Sequence, residues 1–106
     1  MNLVEYITRH RTWSEATFGT GARVGGLLTH IQKECEEIRA NPTDLEEWID
    51  VIILAIDGAW RAGHSPVEIA AMLEFKLGKN QARIWNVSTD PDVPNEHVRV
   101  DADFHL

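Results

Sequence analysis

Glu34 and Glu37 stand three residues apart, and Glu47 and Asp50 repeat that spacing a short distance along the chain. On a helix, residues three apart share a face, so each pair presents two carboxylates in one direction. If both pairs faced one groove, the like charges would repel strongly without a counter-charge. Hard oxygen donors suit Mg²⁺ or Mn²⁺, and the chain has no Cys/His cluster to hold zinc. Either pair alone reads as a solvated helix surface. Asp50 shifts the balance, because it lies inside the apolar run Trp48–Ile56, where a carboxylate needs something to pair with or coordinate. Asp57, one heptad further on, either joins the site or bonds to a backbone group or a basic side chain. Glu36 and Glu46 fall about 100 degrees round their helices and are assigned to solvent or capping.

Further along, Lys76, Asn80 and Arg83 form a polar stripe at helical spacing, with Lys79 beside it. Such a stripe can grip phosphates, although basic residues near a helix end are also favoured by the helix dipole. His30 stands one turn before Glu34 and can face the same groove. Trp13, Ser14 and Phe18 precede a glycine-containing loop and suit base stacking or a lid, or else the core.

These residues need rods to carry them. Leu3, Val4 and Ile7 give a short helical stripe, which Trp13–Gly19 is expected to interrupt. Val24, Leu27, Leu28, Ile31, Cys35 and Ile38 recur at spacings of three and four, predicting a helix over about Arg23–Arg39. Pro42 ends it, and Thr43 with Glu46 reads as a capping box for a third helix running from about Asp44 to Ala62. So short a connection predicts an antiparallel hairpin. The third helix is apolar nearly all round, which calls for cover, partly from a second copy of the chain. Ser65, Pro66 and Glu68 open a fourth helix reaching about Arg83. After it, the acidic, turn-rich stretch Asp90–Asn95 predicts an irregular tail over about 86–106.

Length and composition set the bounds. A chain of 106 residues fits a single domain, with a helical core over about 2–85, and its 43% hydrophobic content suits a folded protein. A formal charge of −7 argues against long nucleic acid as a partner, though cations held by the acids would still admit a small polyphosphate. No stretch is apolar for the roughly 20 residues of a membrane span, and no leader pattern opens the sequence, so no membrane partner is expected and a cytoplasmic location is. Cys35 has no partner for a disulfide.

The ordered set Glu34-x-x-Glu37, Glu47-x-x-Asp50 and the later Lys76, Asn80 and Arg83 resembles the MazG-like all-helical nucleoside triphosphate pyrophosphatases. Trp13-Ser14-x-x-Thr17-Phe18-Gly19, His30-Ile31-x-Lys33-Glu34, Glu47-Trp48-Ile49-Asp50 and Leu54-Ala55-x-Asp57-Gly58-Ala59-Trp60-Arg61 are more closely similar to the phage dATP/dGTP diphosphohydrolases called MazZ. The resemblance spans about Trp13 to Trp85. It implies an all-α, MazG-like four-helix bundle that assembles as a homo-oligomer, a dimer of dimers. It also implies cleavage of purine deoxynucleoside triphosphates, with GTP a further candidate, to the monophosphate and pyrophosphate. Glu34, Glu37, Glu47 and Asp50 would be the catalytic, metal-holding residues for two or three Mg²⁺ or Mn²⁺ ions. Lys76, Lys79, Asn80, Arg83, Trp13, Ser14 and His30 would contact substrate. In a phage, such an enzyme would shape the purine pool from the host cytoplasm. Two rival readings are a ferritin-like di-iron protein, which wants two Glu-x-x-His motifs that are absent, and a non-enzymatic helical dimerisation or regulatory module with a wet acidic face.

Overall fold

The computed structural model describes residues 1–99. Its elements are α1 (Leu3–Phe18), α2 (Val24–Ala40), α3 (Leu45–Arg61), α4 (Pro66–Ala82), β1 (Trp85–Asn86) and β2 (Glu96–His97). The described residues form two compact units that meet within α4, one over Met1–Met72 and one from Leu73 onward.

In the first unit α1 runs unbroken through Trp13–Phe18, where an interruption was expected. No proline or glycine lies in that stretch. Asn2 caps the first turn by accepting from Glu5 N at 2.8 Å. Arg11 and Glu15 pair across one turn at 2.9 Å. Thr8 and Thr12 return their hydroxyls to carbonyls four residues back, and the Ser14 hydroxyl bonds across to another helix, so none of these side chains unwinds the local backbone. The helix stops at Gly19, whose φ of 86° is open to glycine at little cost.

α2 and α3 form the expected hairpin. Glu34 and Glu37, late in α2, approach Glu47, early in α3. At the other end, a β-carbon on Gly58 would stand 3.7 Å from Leu27. The two helices therefore run antiparallel. The cap of α3 is Asp44 and not Thr43: its carboxylate accepts from Glu46 N at 3.0 Å. A carboxylate at the positive end of the helix dipole is the better acceptor, and it moves the start one residue on. Trp48 fixes the turn before the helix by donating its indole N–H to the Pro42 carbonyl at 2.9 Å.

Ile7 of α1 and Ile56 and Trp60 of α3 make the buried apolar core, with Tyr6 and Ile69 packed against it. Much apolar surface stays outside, including Trp48, Ile52, Met72, Leu73 and Phe75, each more than half exposed. Cys35 is exposed as well. α4 opens with the reciprocal box read from the sequence: Ser65 N donates to Glu68 Oε1, and Glu68 N donates to Ser65 Oγ, both at 3.1 Å.

In the second unit, β1 and β2 pair antiparallel, Trp85 opposite His97 and Asn86 opposite Glu96. The stretch after α4 is thus irregular apart from this two-residue ladder, which Asn95 helps to close by accepting from Ser88 N at 2.7 Å. The end of the predicted tail, 100–106, lies outside the described residues. No helix among the described residues is long and apolar enough to cross a membrane.

Candidate active site

The hairpin register brings Glu34, Glu37 and Glu47 together, with one oxygen of each within 4.8 Å of the others. Glu34 is buried, and Glu37 and Glu47 are half-buried. His30, one turn back on α2, binds Glu34 Oε1 at 3.1 Å. Glu34 Oε2 and Glu47 Oε2 are shielded from solvent and have no hydrogen-bond partner. A buried carboxylate oxygen left unpaired is costly, and a hard divalent cation removes that cost. The donor set is all oxygen and anionic, so it fits such an ion.

Crowding shows in the proton balance. Glu47 is pushed up to about 7, first because it shares a hydrogen bond with Glu37, then through desolvation and the Glu37 charge. Glu37 is shifted the other way, below its ordinary value, chiefly through its polar contacts with Glu34 and then Glu47. The crowding of like charges thus favours the protonated form of Glu47.

Beside the cluster lies a cavity of about 290 Å³. Its walls are His10, Trp13, Ser14 and Phe18 from α1, His30 and Glu34 from α2, and Asp50, Ile53, Leu54 and Asp57 from α3. Glu34 belongs to both cluster and cavity. Asp50 is half-buried on the cavity wall, one turn beyond Glu47. Trp13 and Phe18 meet edge to face with centroids 5.4 Å apart, and both are more than half exposed. An acidic cluster opening onto an aromatic-edged cavity can hold a cation-bound polyphosphate at one end and a flat ring at the other.

Ser14 and Asp57 have a further engagement. Ser14 is 1% exposed and donates to Asp57 Oδ1 at 2.7 Å. Arg61 Nε donates to Asp57 Oδ2 at 3.0 Å, so Asp57 has a basic partner on its own helix while it also lines the cavity. His10 lies 4.0 Å from the same carboxylate, and burial keeps its imidazole below the ordinary value despite that charge. Sequence reasoning gave neither Arg61 nor His10 a role. The signal for Arg61 was there: an acid and a base four apart in an otherwise apolar helix. His10 carried none, because nothing local shows that it is buried.

Lys76, Lys79 and Asn80 lie on the C-terminal half of α4, and Arg83 follows it. Arg83 donates to Asn80 Oδ1 at 3.2 Å, and the Trp85 indole donates to the Asn80 carbonyl at 2.8 Å.

A search of curated proteins finds no match to the chain. Among solved structures it is similar to the cyanophage S-2L MazG-like pyrophosphohydrolase, described as bound to dGDP and three catalytic Mn²⁺ ions per active site. The identity is 25%, the match covers 93% of this chain and 99% of that one, and the TM-score is 0.71, so the two share an all-α, MazG-like fold. The family model for dATP/dGTP pyrophosphohydrolase matches residues 6–104, nearly the whole length. The chain belongs to the dATP/dGTP pyrophosphohydrolase family.

Proposed function

We propose that this pyrophosphohydrolase cleaves dATP and dGTP between the α and β phosphates, using Mg²⁺ or Mn²⁺ held by Glu34, Glu37, Glu47 and Asp50. The observation that carries the reading is the convergence of three of these carboxylates with two buried, unpaired oxygens among them. The cyanophage relative carries three Mn²⁺ ions per site, in line with two or three here.

Glu34, Glu37, Glu47 and Asp50 would hold the divalent ions, which would supply charge neutralisation of the triphosphate and acidification of a water for in-line attack on the α-phosphorus. Water adds to that phosphorus, the bond to the bridging oxygen breaks, and pyrophosphate leaves with the electron pair. Glu37 or Glu34 takes up the proton. The cavity edged by Trp13 and Phe18 seats the base, with His30 and Ser14 in its wall. Lys76, Lys79 and Arg83 steady the phosphates and Asn80 orients the sugar or a phosphate oxygen; their assignment rests on residue chemistry and helical spacing. The exposed apolar residues of α3 and α4 support assembly into a homo-oligomer of at least two copies, a dimer of dimers in the fullest reading. In a phage-infected host the reaction would reshape the purine nucleotide pool.

The test is incubation with each deoxynucleoside triphosphate, and with GTP, in Mn²⁺ or Mg²⁺, followed by product identification. Monophosphate plus pyrophosphate from the purine substrates is expected. Orthophosphate release, or no turnover of any nucleotide, overturns the reading. Sedimentation analysis of the same sample tests the assembly, and a monomer overturns that part.

A further inference from the structure

The side chain of Arg61 is 1% exposed, and its guanidinium makes four hydrogen bonds. Nε donates to Asp57 Oδ2, Nη2 to Ser14 Oγ at 3.1 Å, and Nη1 to two peptide carbonyls, Gly19 at 2.9 Å and Gly21 at 3.0 Å. One face of the group lies over the Trp60 ring, 4.3 Å from its centroid. A single cation thus joins α3, the last turns of α1 and the turn that leaves α1. Gly19 and Gly21 have φ of 86° and 98°, a conformation in which both carbonyls reach Arg61 and which other residues adopt only with strain.

Arg61 is not a wall of the aromatic-edged cavity, but what it holds is next to that wall. Ser14 follows Trp13 in sequence and Gly19 follows Phe18, so each aromatic is adjacent to a residue that Arg61 binds. Trp13 and Phe18 are 57% and 52% exposed, so apolar burial does little to fix them. Stacking on a base needs a ring held at a set angle, and a ring free to swing loses part of that gain to ordering.

We propose that Arg61, braced by Asp57 and Ser14, is a positioning residue for nucleotide selection: it sets the Trp13–Phe18 wall and thereby the preference for purine bases, without touching substrate or metal. This rests on the purine-nucleotide reading of the site given above. Lysine keeps the charge but has one donor group where Arg61 spans four acceptors, so Arg61→Lys loosens the wall while leaving Asp57 a cation. Ser14→Ala removes one spoke and leaves the ion pair intact, which keeps the proposal testable if Arg61→Lys folds poorly.

The experiment measures KM and kcat for dGTP and dCTP on the full chain and both variants, with Mn²⁺ affinity determined separately without nucleotide. For Arg61→Lys, KM for dGTP should rise by about tenfold and the dGTP-over-dCTP ratio of kcat/KM should fall by about fivefold or more. Ser14→Ala should move both in the same direction by about two- to threefold. Mn²⁺ affinity should change by less than about twofold in either. A merely structural role would lower activity toward both nucleotides in proportion and leave the ratio in place, and that result overturns the proposal. So does an unchanged KM in either folded variant. A wild-type protein that turns over neither nucleotide overturns the purine reading itself, whereas wild-type selectivity that survives in the variants overturns this inference alone.

Discussion

His30 Nε2 holds one oxygen of Glu34 at 3.1 Å, while the other oxygen is buried without a hydrogen-bond partner. The histidine is one turn back on the same helix and half exposed, so it acts as an outer support that fixes the rotation of the buried carboxylate. His30→Ala should therefore weaken Mn²⁺ binding by about 10–100-fold while leaving the helices intact. Calorimetric titration with Mn²⁺, next to far-ultraviolet circular dichroism, checks both halves of that statement.

Removing a carboxylate from the site itself should be harsher. Glu37→Gln and Asp50→Asn should each reduce hydrolysis by roughly a hundredfold or more at unchanged helical content. Turnover retained in both variants would refute the assignment of these residues. Asp50 is the more informative, because it lies on the cavity wall while the three glutamates form the tight cluster.

The raised Glu47 carboxyl makes stability depend on pH in an unusual sense. It is raised from 4.5 to about 7, so its contribution is full below 4.5 and is lost as pH rises through about 7. Glu37 is lowered, so its contribution is present above its ordinary value of 4.5 and is lost on acidification below it. In chelator, melting temperature should decline between about pH 5 and about pH 7.5, and Glu47→Gln should flatten that decline. Mn²⁺ must displace the proton, so the rise in melting temperature it produces should be larger at about pH 8 than at about pH 6. Thermal melts across pH with and without Mn²⁺ decide it, and a metal increment independent of pH would count against the raised Glu47 carboxyl.

Asp57 is 7% exposed, and its charge is compensated by Arg61. Arg61→Ala strands that carboxylate and should cost about 3–5 kcal/mol, whereas the double change Asp57→Asn with Arg61→Met should cost less than Arg61→Ala alone. Urea denaturation of the three proteins measures the difference. A double variant no more stable than Arg61→Ala would show that the loss lies elsewhere.

The apolar core gives an independent check. Ile7 is fully buried against Ile56 and Trp60, and Ile7→Ala should destabilise by about 2–5 kcal/mol. The same substitution at Ile52, which is 52% exposed in the single chain, should cost little unless a second copy covers it. A large loss at Ile52 would locate a subunit contact there.

What the sequence discloses and what it hides follow from the range of the interactions. The hairpin of α2 and α3, and the meeting of Glu34, Glu37 and Glu47, were legible because periodicity and a short connection are local signals. The box of Ser65 and Glu68 was legible for the same reason. The continuation of α1 through Trp13–Phe18 was not, since what keeps Ser14 from disturbing the helix is Asp57, 43 residues away. The α3 cap was misplaced by one residue because Thr43 and Asp44 are both good caps and the choice depends on how the turn closes. The ladder of Trp85 and Asn86 with His97 and Glu96 is only two residues long, too short to leave a period.

The partners that α1 finds on α3 come from one stretch of that helix: Ile56, Asp57, Trp60 and Arg61. During synthesis α1 leaves the ribosome before α3, and the carboxylate that Ser14 binds follows it by 43 residues. The opening segment must therefore wait, with Ile7 in water and Ser14 competing for its own backbone, until translation has passed Arg61. The α1 side of the cavity thus depends on residues made some forty positions later, and a chain ending before Asp57 would lack the carboxylate that Ser14 binds.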